Sequence, residues 1–190
     1  MSSRYTFHPD HSLYFTTFTV VEWLDVFTRP IYREILYDSF KYCIREKGLQ
    51  IHAYVIMTNH LHLIISSKGE ELSAIVRDFK KYTAKRILEH IQTLPTESRK
   101  NWMMPIFREF GEKTANTILH QFWRHNNKPF PLWSEGVIRQ KLRYIHQNPV
   151  KAGWVDKSSH WTHSSAGAYE GRSSFIPLQL LDIWETEVMD

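Results

Sequence analysis

The chain reads as strand, helix, strand, strand, helix, then a return strand and a last helix. This order predicts an α+β fold: a ferredoxin-like (split βαβ) antiparallel sheet with helices on one face. Three observations carry the prediction. Residues 49–57 and 60–66 are both β-rich and are separated only by the turn pair Thr58-Asn59, which makes them an antiparallel hairpin. Each half of the hairpin is flanked by a segment with helical apolar spacing. With 190 residues, 42% hydrophobic and 23% charged, the composition is that of one globular domain.

The elements follow in order. Residues 1–12 read as a flexible lead, and the main domain as residues 13–170. Residues 13–21 are dense in β-branched and aromatic side chains and predict the first strand. Pro30 suits the first turn of a helix whose apolar face is Ile31, Ile35, Phe40 and Ile44, and Gly48 stops it. After the hairpin, Lys68-Gly69 breaks the run. From residue 71 to about 91, Leu72, Ile75, Val76, Phe79, Ala84, Ile87 and Leu88 recur at helical spacing. Residues 93–131 hold Pro95, Pro105, Pro129 and Pro131 and few clean periods. They read as an insert with a short helix over 112–119 and a return strand near Phe130, Leu132 and Trp133. A last helix spans residues 137–147, ended by Asn148-Pro149 because the residue before proline is pushed out of the helical region. Residues 171–190 read as a tail. With all helices on one face, the other sheet face is expected to be free to bind.

Composition narrows the function. The single cysteine, Cys43, excludes a disulfide scaffold and a multi-cysteine zinc site, and favours a cytoplasmic location. No run is apolar or long enough to cross a bilayer, and no signal-peptide core follows Met1-Ser2-Ser3-Arg4. The net charge of +4 suits a polyanionic partner without requiring one. There are eleven histidines, so His11, His52, His120, His146 and His163 are read as surface or hydrogen-bonded residues.

The sharpest local feature is His60-Leu61-His62. Alternate strand residues point the same way, so the two imidazoles share one face, about 7 Å apart at the backbone. Leu61 points into the core on the other side. This geometry lets two rings meet one metal ion, or leaves two surface histidines on a half-exposed strand. A nucleotide-hydrolase pattern needs a third histidine two residues on, and position 64 is Ile64. The second feature is the run from Arg143 to Pro149. Tyr144 and Asn148 are four apart and project from nearly the same side of a helix, with His146 pointing away. The spacing allows the Asn148 amide oxygen to be a third ligand and the Tyr144 phenol to reach what the metal polarises. Equally, it suits a packed tyrosine and an asparagine that caps the helix before its proline.

Together these blocks resemble a family. His60-Leu61-His62 looks like the histidine–hydrophobic–histidine (HUH) motif of single-tyrosine transposases. The context from Tyr54 through Asn59 to Ile64 is similar to that family's strand pair, and Phe79-Lys80-Lys81-Tyr82-Thr83-Ala84 to its following helix. Trp133-Ser134-Glu135, the run from Tyr144 to Val155, Trp161, Ser164-Ser165 and Tyr169 resemble the C-terminal block of the REP-associated tyrosine transposase branch. The likeness runs in order from about residue 13 to residue 170.

The resemblance implies a metal-dependent enzyme that nicks and rejoins single-stranded or hairpin DNA through a 5′-phosphotyrosine intermediate, as a monomer or homodimer. Carried over, Tyr144 is the nucleophile on a C-terminal catalytic helix, and His60 and His62 bind a divalent ion, Mg²⁺ or Mn²⁺. Asn148 completes the metal site, where the better-known branch has glutamine. Arg77, Lys80, Lys81, Lys85 and Arg86, with Arg143, are the expected DNA contacts. As a plain charge run they make a solvated helix face. Arg124, His125, Lys128, Arg139 and Lys141 add a second basic stretch, and Phe122, Trp123, Phe130 and Trp133 are candidates for stacking on unpaired bases. Two alternatives stay open: a nucleic-acid-binding protein of the same fold with weak or no cleavage, and a metal-dependent hydrolase with no covalent intermediate.

Overall fold

A computed structural model of the protein describes residues 7, 13–113, 119–125, 127 and 129–182. The strands are β1 (Tyr14–Thr19), β2 (Leu49–Ile56), β3 (His60–Ser67) and β4 (Phe130–Pro131), joined in one antiparallel sheet of order β2-β3-β1-β4. The helices are α1 (Pro30–Lys47), α2 (Leu72–Thr93), α3 (Lys100–Glu112), α4 (Glu135–Lys151) and the single turn α5 (Ala166–Tyr169). This is the predicted split βαβ arrangement. Apart from Phe7, the expected flexible lead lies outside the described residues, as do residues 114–118 of the expected helix at 112–119.

Alternation along the strands makes two cores. On one face Phe18, Ile51, Leu61, Leu63 and Ile65 meet α1 and α2, where Phe40 and Phe79 stack with ring centroids 4.4 Å apart. On the other, Phe15, Ala53, Val55 and Ile64 meet Leu132 and the α4 residues Leu142 and Ile145. The face expected to be free is therefore largely covered by α4. The cause lies in the sequence: Leu142 and Ile145 give α4 an apolar stripe that has to be buried.

Gly48 ends α1 with φ of 73°, and a Cβ there would sit 2.6 Å from the backbone nitrogen of Gly69. A left-handed turn and a close backbone approach both demand glycine at this position.

The helix boundary expected at Asn148-Pro149 fails, and a 13-residue helix stands where an irregular insert is expected, for one reason. Helix α4 runs through Asn148 and Pro149 to Lys151. Burial of Ile145, His146 and Pro149 holds the last turn, which bonds through Ala152 N–H to Asn148 O (3.0 Å) and Trp154 N–H to Pro149 O (3.0 Å). Helix α3 contains Pro105 and still forms, because Met103, Phe107 and Gly111 lie at four-residue intervals on its buried side. Tertiary packing outweighs local propensity in both.

The outer edge of β2 is sealed by later chain. Ser165 N–H donates to Tyr54 O (2.9 Å), Ile56 N–H to His163 O (2.8 Å) and Gln179 N–H to Ile51 O (2.9 Å). The Trp161 indole donates to Ile56 O (3.0 Å) and the Tyr169 hydroxyl to His52 O (3.0 Å). Among the described residues, no helix is long and apolar enough to cross a membrane.

Glu97 is the one buried carboxylate of the described core. Its oxygens accept from the Tyr32 hydroxyl (2.7 Å) and Arg99 Nε (2.8 Å), and Arg29 Nε lies 3.1 Å away. The bond from Arg99, helped by that from Tyr32, overrides the opposing effect of burial and pulls its pKa down to about 2. A carboxylate whose pKa is lowered on folding adds stability that is complete above its unfolded pKa and lost as pH falls through its folded one. Urea unfolding should thus show stability declining from about pH 4.5 towards pH 2. Glu97→Gln should flatten that slope and cost about 2 kcal/mol or more at pH 7. An unchanged acid slope in the variant would remove Glu97 as its source.

Candidate active site

Strand β3 sets the site. The register pairs His60 with Thr19 and His62 with Thr17 and Val55, so both imidazoles emerge on the α4 face while Leu61 enters the opposite core. Their ring centroids are 4.8 Å apart. His62 is only 5% exposed, and its ring stacks on Phe15 with centroids 5.5 Å apart. Its Nδ1 shares a 2.7 Å hydrogen bond with Thr17 Oγ1. On His60 the Nδ1–H donates to Asn59 Oδ1 (2.7 Å), while Asn59 Nδ2 donates to Asp25 Oδ1 (2.9 Å) and so fixes the amide orientation. The acceptor-only Asn59 Oδ1 fixes the His60 tautomer and leaves its Nε2 as the outward lone pair, while the Thr17 hydroxyl, able to donate or accept, holds the His62 ring in place.

Burial keeps both rings uncharged. The His62 pKa falls to about 3, first through desolvation, then through the adjacent His60 and Lys141. The His60 pKa is lowered by desolvation, partly offset by a hydrogen bond with the Asn148 side chain and by Asp25. Two neutral imidazoles side by side are ready-made nitrogen donors.

Helix α4 supplies the rest. Leu142, Ile145 and His146 face inward, and the His146 Nε2 bonds Ser165 Oγ at 2.9 Å. The same rotation carries Tyr144 and Asn148 to the histidines. The Tyr144 hydroxyl lies 3.4 Å from His62 Nε2, and its ring meets those of His62 (5.0 Å) and Phe15 (5.8 Å) edge-on. Tyr144 is 40% exposed, so its phenol is open to a substrate. The four expected site residues, His60, His62, Tyr144 and Asn148, therefore converge within one chain. Among the described residues no three His, Cys, Asp or Glu come together.

Cations and an indole border the site. Lys141 Nζ lies over the rings of Phe15 (4.9 Å), Phe130 (5.1 Å) and Tyr144 (5.8 Å). On the other side, the Trp23 ring meets His60 edge-on at 5.3 Å, with the Arg124 guanidinium 5.3 Å from its centroid. Trp23 and its neighbour Glu22 have φ of 54° and 50°, the only non-glycine residues with positive φ among those described. Such backbone costs of order 1–3 kcal/mol per residue and persists only where the surroundings over-determine it. Here buried Val20, Val21 and Leu24 pin both ends of the turn. The sequence reading missed Trp23, because nothing in Val21-Glu22-Trp23 announces a left-handed turn.

The expected DNA contacts separate. Arg77, Lys81, Lys85 and Arg86 are exposed on α2, across the sheet from the histidines, and Arg77, Lys85 and Arg86 lie within ion-pair reach of Asp78 or Glu89. Lys80 instead turns inward, donating to Arg124 O (2.7 Å), and burial draws its pKa down to about 8. Arg143 is exposed next to Tyr144 on α4. Lys128 lies outside the described residues. Of the candidate stacking residues, Phe122 and Trp123 are buried, with the Trp123 indole donating to Thr83 Oγ1 (3.0 Å), while Trp133 is 61% exposed.

Comparison with known proteins agrees with this fold. The chain aligns over its full length with the structure of a REP-associated tyrosine transposase bound to a REP hairpin, at 18% identity, a TM-score of 0.63 and 94% of that chain. A crystal structure of a Deinococcus radiodurans R1 protein assigned as a transposase aligns at 16% identity and a TM-score of 0.41, covering 76% of this chain and 94% of that one. That second likeness is too loose to carry weight. No curated protein matches. Residues 14–120 match the family profile "Transposase IS200 like", which takes in the histidine strand and stops short of α4. The profile covers more than half of the chain, and the protein belongs to the IS200-like transposase family of DNA-processing enzymes.

Proposed function

We propose that the protein nicks and rejoins single-stranded DNA through a covalent bond to Tyr144, with His60, His62 and Asn148 holding a divalent cation. The observation that carries this reading is the 3.4 Å separation of the Tyr144 hydroxyl from His62 Nε2, which puts nucleophile and ligand in one small volume. The donor set fits a cation of the Mg²⁺ or Mn²⁺ kind: two neutral imidazoles, both Nδ1 positions engaged, and a carboxamide already turned to His60. Bound there, such an ion supplies Lewis-acid polarisation of a phosphodiester oxygen.

The remaining steps belong to this chain's residues. The phenol oxygen of Tyr144 attacks phosphorus and loses its proton to solvent. The P–O3′ bond breaks, and the departing oxygen takes up a proton. The products are a 5′-phosphotyrosine and a free 3′-hydroxyl. The ester keeps the bond energy, so a second 3′-hydroxyl can displace the tyrosine without ATP. Because water is not the nucleophile, the step runs both ways, as strand transfer requires. The substrate class follows from the family and from the REP hairpin held by the relative of the same fold. Arg143 is the proposed phosphate contact beside the nucleophile. Arg77, Lys81, Lys85 and Arg86 would reach only DNA that extends round the sheet edge, and Lys80 serves the fold instead.

Three outcomes are expected. With a labelled hairpin oligonucleotide and Mn²⁺, the wild type should form a denaturant-stable adduct, which chelator, His62→Ala and Tyr144→Phe each reduce by a hundredfold or more. An adduct that persists in Tyr144→Phe rules this tyrosine out, and turnover with no adduct at all points to a hydrolase. Mixing Tyr144→Phe with His62→Ala should restore no activity, since one chain holds the whole site; recovery would mean that tyrosines are exchanged between subunits. By NMR, His62 should stay neutral down to about pH 3. The unfolded chain takes up that proton near pH 6.5, so the site loses stability as pH falls below that value.

A further inference from the structure

The site continues beyond the proposed ligands as a line of rings. Trp133 meets Phe130 with centroids 5.0 Å apart, Lys141 bridges Phe130 to Tyr144, and Tyr144 meets His62. His62 meets His60, and His60 meets Trp23. The sheet register gives the line its direction. Leu132 N–H bonds Leu13 O at one end of β1, and His60 pairs with Thr19 at the other. The track therefore follows β1, with an exposed indole at each end and the Tyr144–histidine group between them. Trp133 is 61% exposed and Trp23 is 50% exposed.

We infer that Trp23 and Trp133 are stacking platforms for unpaired bases on either side of the scissile phosphate, so that single-stranded DNA is drawn along β1. This rests on the reading of Tyr144 as nucleophile and adds the residues that hold its substrate. Two observations select nucleobases over another apolar partner. First, a cation accompanies the rings at each end, Lys141 by Phe130 and Arg124 by Trp23, which matches an alternation of base and phosphate and would repel nothing anionic. Second, the turn pinned by Val20, Val21 and Leu24 holds the Trp23 indole exposed and edge-on to His60, where an unpaired base next to the site can stack. Stacking needs a free base face, so the track selects single strands over duplex.

The test is fluorescence anisotropy with labelled single-stranded dT20 in the uncleaving Tyr144→Phe background without metal. Trp23→Ala and Trp133→Ala should each weaken binding roughly tenfold, while Trp23→Phe keeps most of it. Tyr42→Ala, an exposed aromatic on α1 across the sheet, should leave affinity unchanged. Abasic substitution in the probe should remove the difference between wild-type and alanine forms, which a mere loss of fold would not do. Unchanged affinity in both alanine variants, or equal losses for dT20 and a duplex of the same length, overturns the proposal. The two readings fail separately. Adduct formation without tryptophan dependence refutes the track alone, and tryptophan-dependent binding without any adduct refutes the nicking chemistry alone.

Discussion

The site depends on one constraint, the two-residue period of β3. Leu61, Leu63 and Ile65 are buried against α1 and α2, and this fixes the odd positions of the strand inward. His60 and His62 then have to face α4. A register slip of one residue would bury two imidazoles among leucines and expose the core, so the same hydrophobic term that stabilises the domain also aims the histidines. The irregularity between Ile51 and Ala53 in β2 lets that strand follow without disturbing the pair further along.

Helix α4 obeys a similar rule with a different period. Leu142, Ile145 and His146 are anchored, and at 3.6 residues per turn Tyr144 and Asn148 fall on the side turned to the histidines. Four side chains from two chain segments more than eighty residues apart thus meet on elements of the sheet and its covering helix. Preorganisation of this kind is favourable for phosphoryl transfer, where positioning and charge do most of the work. Desolvation of His62 belongs to the same design, since a protonated imidazole there would compete with any cation.

Much of this was legible in the sequence, because it rests on periodicity. The strand alternation around Leu61, the four-residue spacing of Tyr144 and Asn148, and the glycine stop at Gly48 are all local patterns. What stayed hidden depends on long-range contacts. Pro149 and Pro105 look like helix breakers until their burial is known. Lys80 looks like its exposed neighbours Lys81 and Lys85 until the carbonyl of Arg124 is placed beside it. Trp23 gains its meaning only when Phe122 and Asn59 bond the flanking turn, through Val21 N–H to Phe122 O and Val20 N–H to Asn59 O. The coverage of the second sheet face is equally hidden, because the apolar residues Leu142 and Ile145 of α4 do not name their partners until Phe15, Val55 and Ile64 are placed beneath them.

The sealed flank of β2 has a bearing on how copies of the protein can meet. Among the described residues, the carbonyls of Ile51, His52, Tyr54 and Ile56 already accept hydrogen bonds from the chain's own later segments. The opposite flank is a strand of two residues ending in Pro131, which has no amide hydrogen to offer. Among the described residues the β2 border therefore offers a foreign strand no open row of carbonyls, and the two-residue β4 is too short to template one, which disfavours side-by-side sheet extension between copies.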